Sequence, residues 1–533
     1  MNKHSLKHMT YQPLQTLAFS EENIEKFKRL GCSYLDSLAC LNNFVKLLPA
    51  AMREAVMIYP QLALDGYVKK TGQVAYRKQK MMLRGGALPN AGKFYAITCD
   101  PIDLFGGNGL KAGECCCAAL PEGKTIMIRY PHTSEASWVV LNNKHIEMGI
   151  TDKNVMVLNN YDDSLRRLGG ADYDGDKVFV VTDEDFHKII SETLDEMGNP
   201  TQMPNTPAGH AKKVTFDKTT AKNIRMAYFT NLIKPSQIGS VSNKLSCAYS
   251  DLYDAYVDGD EARVADAKAC VEYWQKKVEI TVDIEKHGDT DLPMPKAVKK
   301  MTKKMPTFIK FAKIAKNIGK PVKDVVDETK YEQKANHPLE QYSIFINEHT
   351  KKMAEFGAKI NGEFFWENLM YDAQLPSVQN TKVFKRSEPL RDENGKIVKD
   401  ESGNTKYVNG GQFDQLVFAT SDELREMAAS RNLEYTTIID LRKQMIEKLM
   451  ALYAEKYGCT VQHVYNLIVY YIYTMNEGPA LETYKRVLWD CLNDYIVDAL
   501  SERFGSLALS AVIDLDDLDD CEDDDDEDEE MPW

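Results

Sequence analysis

Across residues 1–90, apolar side chains recur mostly at three- and four-residue spacing, the period of a helix with one buried face. Ser20 stands before Glu21 and Glu22 as an N-cap signal, and Ile24, Phe27 and Leu30 follow on one stripe. Gly31 is expected to end that helix, and 35–59 reads as further helix. Near Gly85-Gly86 the texture changes. Short apolar runs punctuated by Gly and Pro predict strands at 94–99, 114–119, 125–130, 138–141, 155–158 and 178–181. Gly106-Gly107-Asn108-Gly109 reads as a loop between two of them. Six short strands packed so closely predict a small barrel rather than a parallel sheet with crossover helices.

Beyond Asp183 the helical period returns. Residues 221–245 and 261–281 carry it, as do 339–372 and 421–504. The stretch 296–323 is lysine-rich, with Met301, Met305, Phe308 and Phe311 interleaved. Residues 383–413 read as a polar hairpin insertion, with turns at Glu393-Asn394-Gly395 and Ser402-Gly403-Asn404. There is no internal repeat. The expected fold class is α+β, a β-barrel flanked by largely helical N- and C-terminal regions. The expected division is a helical connector at 1–90, a barrel at 91–185, a helical region at 186–296, a mainly helical region at 297–510 and an acidic tail at 511–533.

Composition narrows the function classes. The chain has 533 residues, 43% hydrophobic and 27% charged, which suits a globular protein with a large core. No apolar run of about 18 residues is present, and the N-terminus lacks the apolar stretch of a secretory signal. The eleven cysteines form no C-x-x-C pair, which argues against a zinc site and a disulfide framework and for a reduced, cytoplasmic setting. The net charge of −14 is local: 514–530 holds 14 carboxylates and no basic residue, so the remainder is neutral. A neutral body can still carry a basic channel on one face. The tail reads as a self-repelling, solubilising segment; a nucleic-acid mimic is the sharper alternative.

The strongest chemical feature is Gly169-Gly170-Ala171-Asp172-Tyr173-Asp174-Gly175-Asp176-Lys177-Val178-Phe179-Val180-Val181. Three aspartates alternate at two-residue spacing just before a strand. In extended or looped backbone, alternate side chains point the same way, so three carboxylates would converge. Their repulsion is relieved by a hard divalent cation, which prefers carboxylate oxygen. Gly175 permits the bend that brings Asp174 and Asp176 onto one ion. A calcium EF-hand loop is disfavoured, because its sixth position is Lys177 rather than Gly and its twelfth is Asp183 rather than Glu. A functionless acidic turn remains the bland alternative.

On these residues the chain resembles the two-barrel RNA polymerases, whose signature is D-x-D-G-D. The version here is most similar to the eukaryotic-type RNA-dependent RNA polymerases and their phage relatives, and the chain looks like their C-terminal catalytic half. Residues 123–132, Gly-Lys-Thr-Ile-Met-Ile-Arg-Tyr-Pro-His, resemble the family's strand ending in R-x-P. Residues 92–114 resemble the first strand and turn of its catalytic double-psi β-barrel. Gln237-Ile238-Gly239-Ser240-Val241-Ser242-Asn243 resembles its I-G-x-I-x-N segment. Ala267-Lys268-Ala269-Cys270 and the run from Thr281 to Gly288 resemble its A-V-D-x-x-K-x-G ending. Residues 23–31 resemble the helical stretch between its two barrels. Each piece outside the acidic loop is weak by itself; their shared order over roughly 90–296 makes the set specific.

The resemblance implies template-directed nucleotidyl transfer. Asp172, Asp174 and Asp176 would be catalytic and hold Mg²⁺, with Mn²⁺ as the alternative ion, and a second ion would arrive with the nucleoside triphosphate. Arg129 would touch nucleotide or product phosphate or sugar hydroxyls; a barrel-surface salt bridge is its alternative. Gln237 and Asn243 would face the duplex, or simply pack. Lys286 would contact nucleic-acid backbone, or be a solvated lysine. The lysine-rich 296–323 stretch suits phosphate contact without sequence choice, or a solvated amphipathic face. Family members also carry a first barrel with lysines that hold nucleotide phosphates. Residues 1–90 read as helix, so a second polypeptide is expected to supply it, and the isolated chain is expected to be inert or feeble. DNA as template, or a non-catalytic nucleic-acid-binding relative, are the alternatives.

Overall fold

The structure is a computed structural model. It describes residues 7–17, 21–38, 41–150, 152–195, 237–282, 292–301, 305–318, 337–360, 392, 394–406, 435–457, 460–462, 464–465 and 479–504. The chain divides into two compact units. One comprises Met1–Ser37, Tyr76–Phe356 and Asp524–Trp533, and the other Leu38–Ala75 and Gly357–Asp523.

The first unit holds seven strands among its described residues: β1 (Lys7–Met9), β2 (Leu88–Cys99), β3 (Glu114–Cys116), β4 (Gly123–Ile128), β5 (Val139–Asn143), β6 (Val155–Leu158) and β7 (Lys177–Val181). They follow the order β1-β2-β6-β3-β5-β4-β7, and a further pairing of β2 with β7 closes β2 to β7 into a six-stranded barrel. β2 runs parallel to β6 and antiparallel to β7, and β3 runs parallel to β5. Closure removes the sheet edges that would otherwise stay unpaired.

Alternation fills the barrel. Tyr95 and Ile97 of β2, Met127 of β4, Val139 and Leu141 of β5, Met156 and Leu158 of β6, and Val178 and Val180 of β7 form one buried cluster. Each is two residues from the next on its strand, as a pleated backbone requires. Burying each such aliphatic side chain contributes about 1.5–3 kcal/mol. The other face of β2 and β7 is covered as well, where Phe94, Phe179 and Tyr130 pack ring against ring.

Gly92 is where this packing tolerates no side chain. A Cβ there would lie 2.0 Å from the Val180 carbonyl oxygen and 2.8 Å from the Phe179 ring. The blocking atom is backbone inside a closed barrel, so it cannot step aside. Gly92→Ala is therefore expected to destabilise the first unit by about 3 kcal/mol. Thermal denaturation followed by circular dichroism checks this, and an unchanged melting temperature would refute it.

The six expected barrel strands are present, and three expectations about the flanking segments are corrected. β1, which adds antiparallel to β2, was not expected within the helical N-terminal stretch. Gly31 does not end a helix: the Glu21–Ser37 helix runs through it. A Cβ on Gly31 would sit 2.6 Å from the Tyr342 hydroxyl and 2.8 Å from Ile346 Cδ1. That glycine lets another helix, Pro338–Ile360, approach closely. The stretch 35–59 is broken rather than continuous. A short turn at Leu41–Phe44 and a 3₁₀ turn at Val45–Leu47 precede Pro49, which opens the Ala50–Ile58 helix.

Downstream, helices span Ile238–Asp258 and Glu261–Val282. The first outruns its expected end at residue 245 and stops at Gly259, whose left-handed φ of 67° suits glycine. The expected helix from 221 lies outside the described residues up to 236. Within 383–413, the described residues carry both expected turns and a bridge between Lys399 and Thr405. Apart from that hairpin, the second unit is mainly helical among its described residues. The helices Ala50–Ile58, Tyr435–Tyr457, Pro479–Cys491 and Asn493–Phe504 share one apolar cluster that includes Val56, Met450, Leu488 and Ile496. No described helix is long and apolar enough to cross a membrane.

Candidate active site at the barrel mouth

The barrel topology gathers several chain segments at one end. β2 and β6 are parallel, so both leave the barrel there. β7 is antiparallel to β2 and therefore begins there, with Ala96 opposite Lys177. β4 also ends there, because Ile128 lies opposite Phe179, and Arg129 is the next residue.

The loop entering β7 is shaped by glycine. Gly169 and Gly170 have φ of 71° and 70°, and Gly175 has φ of 127°. A side chain would strain all three positions. The amide of Ala171 donates to the Leu165 carbonyl at 3.0 Å and turns the chain back on itself. The amide of Ile97 donates to the Asp176 carbonyl at 3.0 Å, fixing the loop to β2.

The three aspartates converge. One carboxylate oxygen from each of Asp172, Asp174 and Asp176 lies within 4.8 Å of the other two. Asp174 is exposed, and the other two are half-buried. The loop also bonds to itself. The Asp172 amide donates to Asp176 Oδ2 at 2.9 Å, and the Asp174 amide donates to Asp172 Oδ1 at 3.2 Å. Arg129 Nη2 donates to Asp176 Oδ1 at 2.8 Å, and its Nη1 reaches the Gly169 carbonyl at 3.4 Å. A carboxylate offers about four lone-pair positions, so these contacts leave Asp176 able to ligate. Three convergent hard oxygen donors on a loop held at both ends fit a divalent cation of the magnesium type.

Tyr173, between two of the aspartates, turns toward the barrel core. Its hydroxyl is buried without a hydrogen-bond partner among the described residues. Burial first, then Cys99, Asp162 and Asp100, push its pKa up to about 12.

The segment after Arg129 is framed by two parts of the chain. The Thr10 amide donates to the Tyr130 hydroxyl at 3.1 Å, and the His132 amide donates to Gln12 Oε1 at 3.0 Å. The Tyr249 hydroxyl, on the Ile238–Asp258 helix, donates to the Thr133 carbonyl at 2.8 Å and lies 3.0 Å from Glu135 Oε2. Burial and then Glu135 hold that tyrosine's pKa well above its ordinary value. His132 is fully enclosed, and burial pushes its pKa down to about 3, so it stays neutral. Sequence reasoning missed this supporting network. Its only trace was the order of the R-x-P segment and the later helix.

The remaining expected site residues fall out as follows. Gln237 is exposed just before the Ile238–Asp258 helix, and its carbonyl accepts the Val241 amide at 2.9 Å. Asn243 is half-buried on that helix, with Oδ1 enclosed and unbonded among the described residues. Lys286 lies outside the described residues.

Comparison with known proteins bears on this geometry. A family model described as RNA dependent RNA polymerase matches residues 150–348, which include the acidic loop. Over that segment the chain resembles RNA-dependent RNA polymerases. A curated relative, the DNA-directed RNA polymerase YonO of Bacillus phage SPbeta, is 26% identical over 199 residues. That match spans 33% of this chain and 23% of the phage protein, so the chain covers about a quarter of the relative's length. Among solved structures, the RNA dependent RNA polymerase QDE-1 from Thielavia terrestris overlaps 95% of this chain and 58% of its own, with a TM-score of 0.48 and 11% identity.

Proposed function

We propose that the chain carries the catalytic centre of a template-directed RNA polymerase, with RNA as the template, which adds nucleoside triphosphates to an RNA 3′ end. The observation that carries this reading is the convergence of Asp172, Asp174 and Asp176 at the mouth of a closed barrel. The family match over the same loop supports it. Nucleotidyl transfer needs charge neutralisation and alignment more than covalent help. Magnesium ions, when bound, would stabilise the attacking and leaving oxygens. Asp172, Asp174 and Asp176 would hold them. Arg129 would keep Asp176 and the Gly169 turn in place and offer its remaining donors to phosphate or sugar hydroxyls. Gln237 and Asn243 would line the path of the nucleic acid, and Lys286 would meet its backbone.

The barrel is read as a double-psi barrel, its strands running from Leu88 to Val181 and so beginning three residues before the limit given from sequence. The described residues contain one closed barrel. A second polypeptide would supply the lysine-bearing one and complete the phosphate site, in a cytoplasmic setting. DNA as template is the second reading, favoured by the phage relative that is itself DNA-directed.

Nucleotide incorporation on single-stranded RNA and DNA, with and without the neighbouring gene product, tests the proposal. Synthesis should require Mg²⁺ and stop on chelation, with RNA the better template. Failure of every arm, or synthesis indifferent to chelation, would sink it.

A further inference from the structure

Two loops at the metal-binding end of the barrel hold large apolar side chains out in water. Phe105 is 91% exposed, Tyr161 78% and Leu104 59%. The loop carrying Leu104 and Phe105 leaves β2, and the loop carrying Tyr161 leaves β6. These are the two strands that end beside the start of β7 and the acidic loop.

Neither loop is slack. Asp100 is fully buried. Its carboxylate accepts the amides of Ile102, Asp103 and Leu110. Gly109 packs so closely that a Cβ would lie 2.0 Å from Asp100 Oδ2. Asn160 joins the loops: its Oδ1 accepts the Asp100 amide at 2.9 Å, and its Nδ2 donates to the Asp100 carbonyl at 3.0 Å and to Asp103 Oδ2 at 3.1 Å. Asn159 donates to the Leu110 carbonyl and accepts the amides of Tyr161 and Asp162. This network fixes the backbone while leaving the rings solvated. A fold that only needed to close these loops would have no reason to place a phenylalanine at such exposure. Exposed aromatic surface on a fixed support marks a contact site.

The neighbouring charges select the occupant. Asp103, Asp162 and Asp163 share these loops with one lysine, Lys111, and Asp163 pairs with Arg166 at 3.7 Å; the net negative balance beside the rings disfavours a phosphate backbone there. A base presents an uncharged π-face that stacks on aromatic rings whatever its identity. We propose that Phe105 and Tyr161 form a stacking platform for unpaired bases of the single-stranded nucleic acid approaching the metal loop, with Leu104 completing its apolar floor. This rests on the polymerase reading of the acidic loop.

The test compares binding by the full chain, without nucleotides, of a fluorescently labelled single-stranded RNA and of an abasic strand of the same length. Phe105→Ala and Tyr161→Ala are each expected to weaken the base-bearing strand roughly fivefold or more. The abasic strand should bind the variants as it binds the wild type. Because stacking involves no counterion release, the ratio between variant and wild type should persist as salt is raised. Phe105→Trp should keep the affinity. The platform is overturned if the wild type shows no preference for bases, or if the variants lose both strands equally. It is also overturned if oligonucleotide binding is intact while self-association or partner binding falls, which would make the patch a protein contact. The readout involves no catalysis. Absence of Mg²⁺-dependent RNA synthesis in every arm of the incorporation assay would defeat the polymerase reading, while a base-dependent loss in Phe105→Ala would still register.

Discussion

Asp174→Asn is expected to lower nucleotide incorporation by a factor of about 10³ or more with little change in thermal stability. The substitution keeps the side chain's size and removes one negative charge from three donors that lie within 4.8 Å of one another. A hard divalent ion bound by carboxylates is held largely by charge. Losing one of three should weaken its hold and misplace it relative to the reacting oxygens. Removing a single preorganised electrostatic contact costs roughly 10²–10³ in kcat in well-studied cases, and a metal ligand should lie at or beyond the top of that range. Asp174 is the exposed one of the three, so its replacement is the least disturbing to packing. Asp176 bonds Arg129 and the Asp172 amide, and Asp172 accepts the Asp174 amide; changing either would loosen the loop itself. Asp174 is exposed, so Asn there leaves no buried group stranded. Incorporation under saturating Mg²⁺, together with a melting curve, makes the measurement. An active variant would remove the catalytic assignment; an unfolded one would show that the loop's geometry depends on this charge.

The barrel and the acidic loop were legible in sequence because both rest on local rules. Short apolar runs bounded by Gly and Pro mark the strands at 94–99, 125–130 and 178–181, and a pleated backbone then turns Tyr95, Met127 and Val178 into the barrel. The aspartates announce themselves by spacing, and Gly169, Gly170 and Gly175 by the positive φ that their turns require. The illegible features depend on partners distant in sequence. β1 has three residues, too few for a period, and exists because β2 offers it an edge outside the closed ring. The start of β2 at Leu88, ahead of the expected 94–99, includes Pro89 and Gly92, residue types that commonly break strands, and only the tight approach of Val180 explains the glycine. Gly31 carried the same ambiguity. A glycine in a helical run marks either a stop or a close crossing, and only the position of Tyr342 decides between them. The framing of the segment after Arg129 by Thr10, Gln12 and Tyr249 spans more than a hundred residues of chain in each case. No local pattern encodes it.

Arg129 supplies the second large effect. Arg129→Ala is expected to lower kcat by about 10- to 100-fold at saturating Mg²⁺, and Arg129→Lys to recover only a small part of that. The side chain keeps 15% of its surface exposed, and its partner Asp176 keeps 21%, so their ion pair is partly shielded from water. A hydrogen bond to a charged group contributes about 1.5–3 kcal/mol, and about 1.4 kcal/mol corresponds to a factor of ten in rate. More than charge is at stake. One nitrogen of the guanidinium bonds Asp176 while the other reaches the Gly169 carbonyl, so a single rigid fork ties the last aspartate of the triad to the turn that begins the loop. Lysine offers a compact ammonium on a flexible stem and cannot span both acceptors in that way. If the fork positions the loop, Ala and Lys should be impaired alike in kcat, with the KM for nucleotide moving little. If Arg129 mainly grips nucleotide phosphate, Lys should preserve much of the binding and the loss in Ala should fall on KM. Full recovery of kcat by Lys would assign Arg129 a purely electrostatic part, and an unimpaired Ala variant would leave its pairing with Asp176 a surface salt bridge without catalytic consequence.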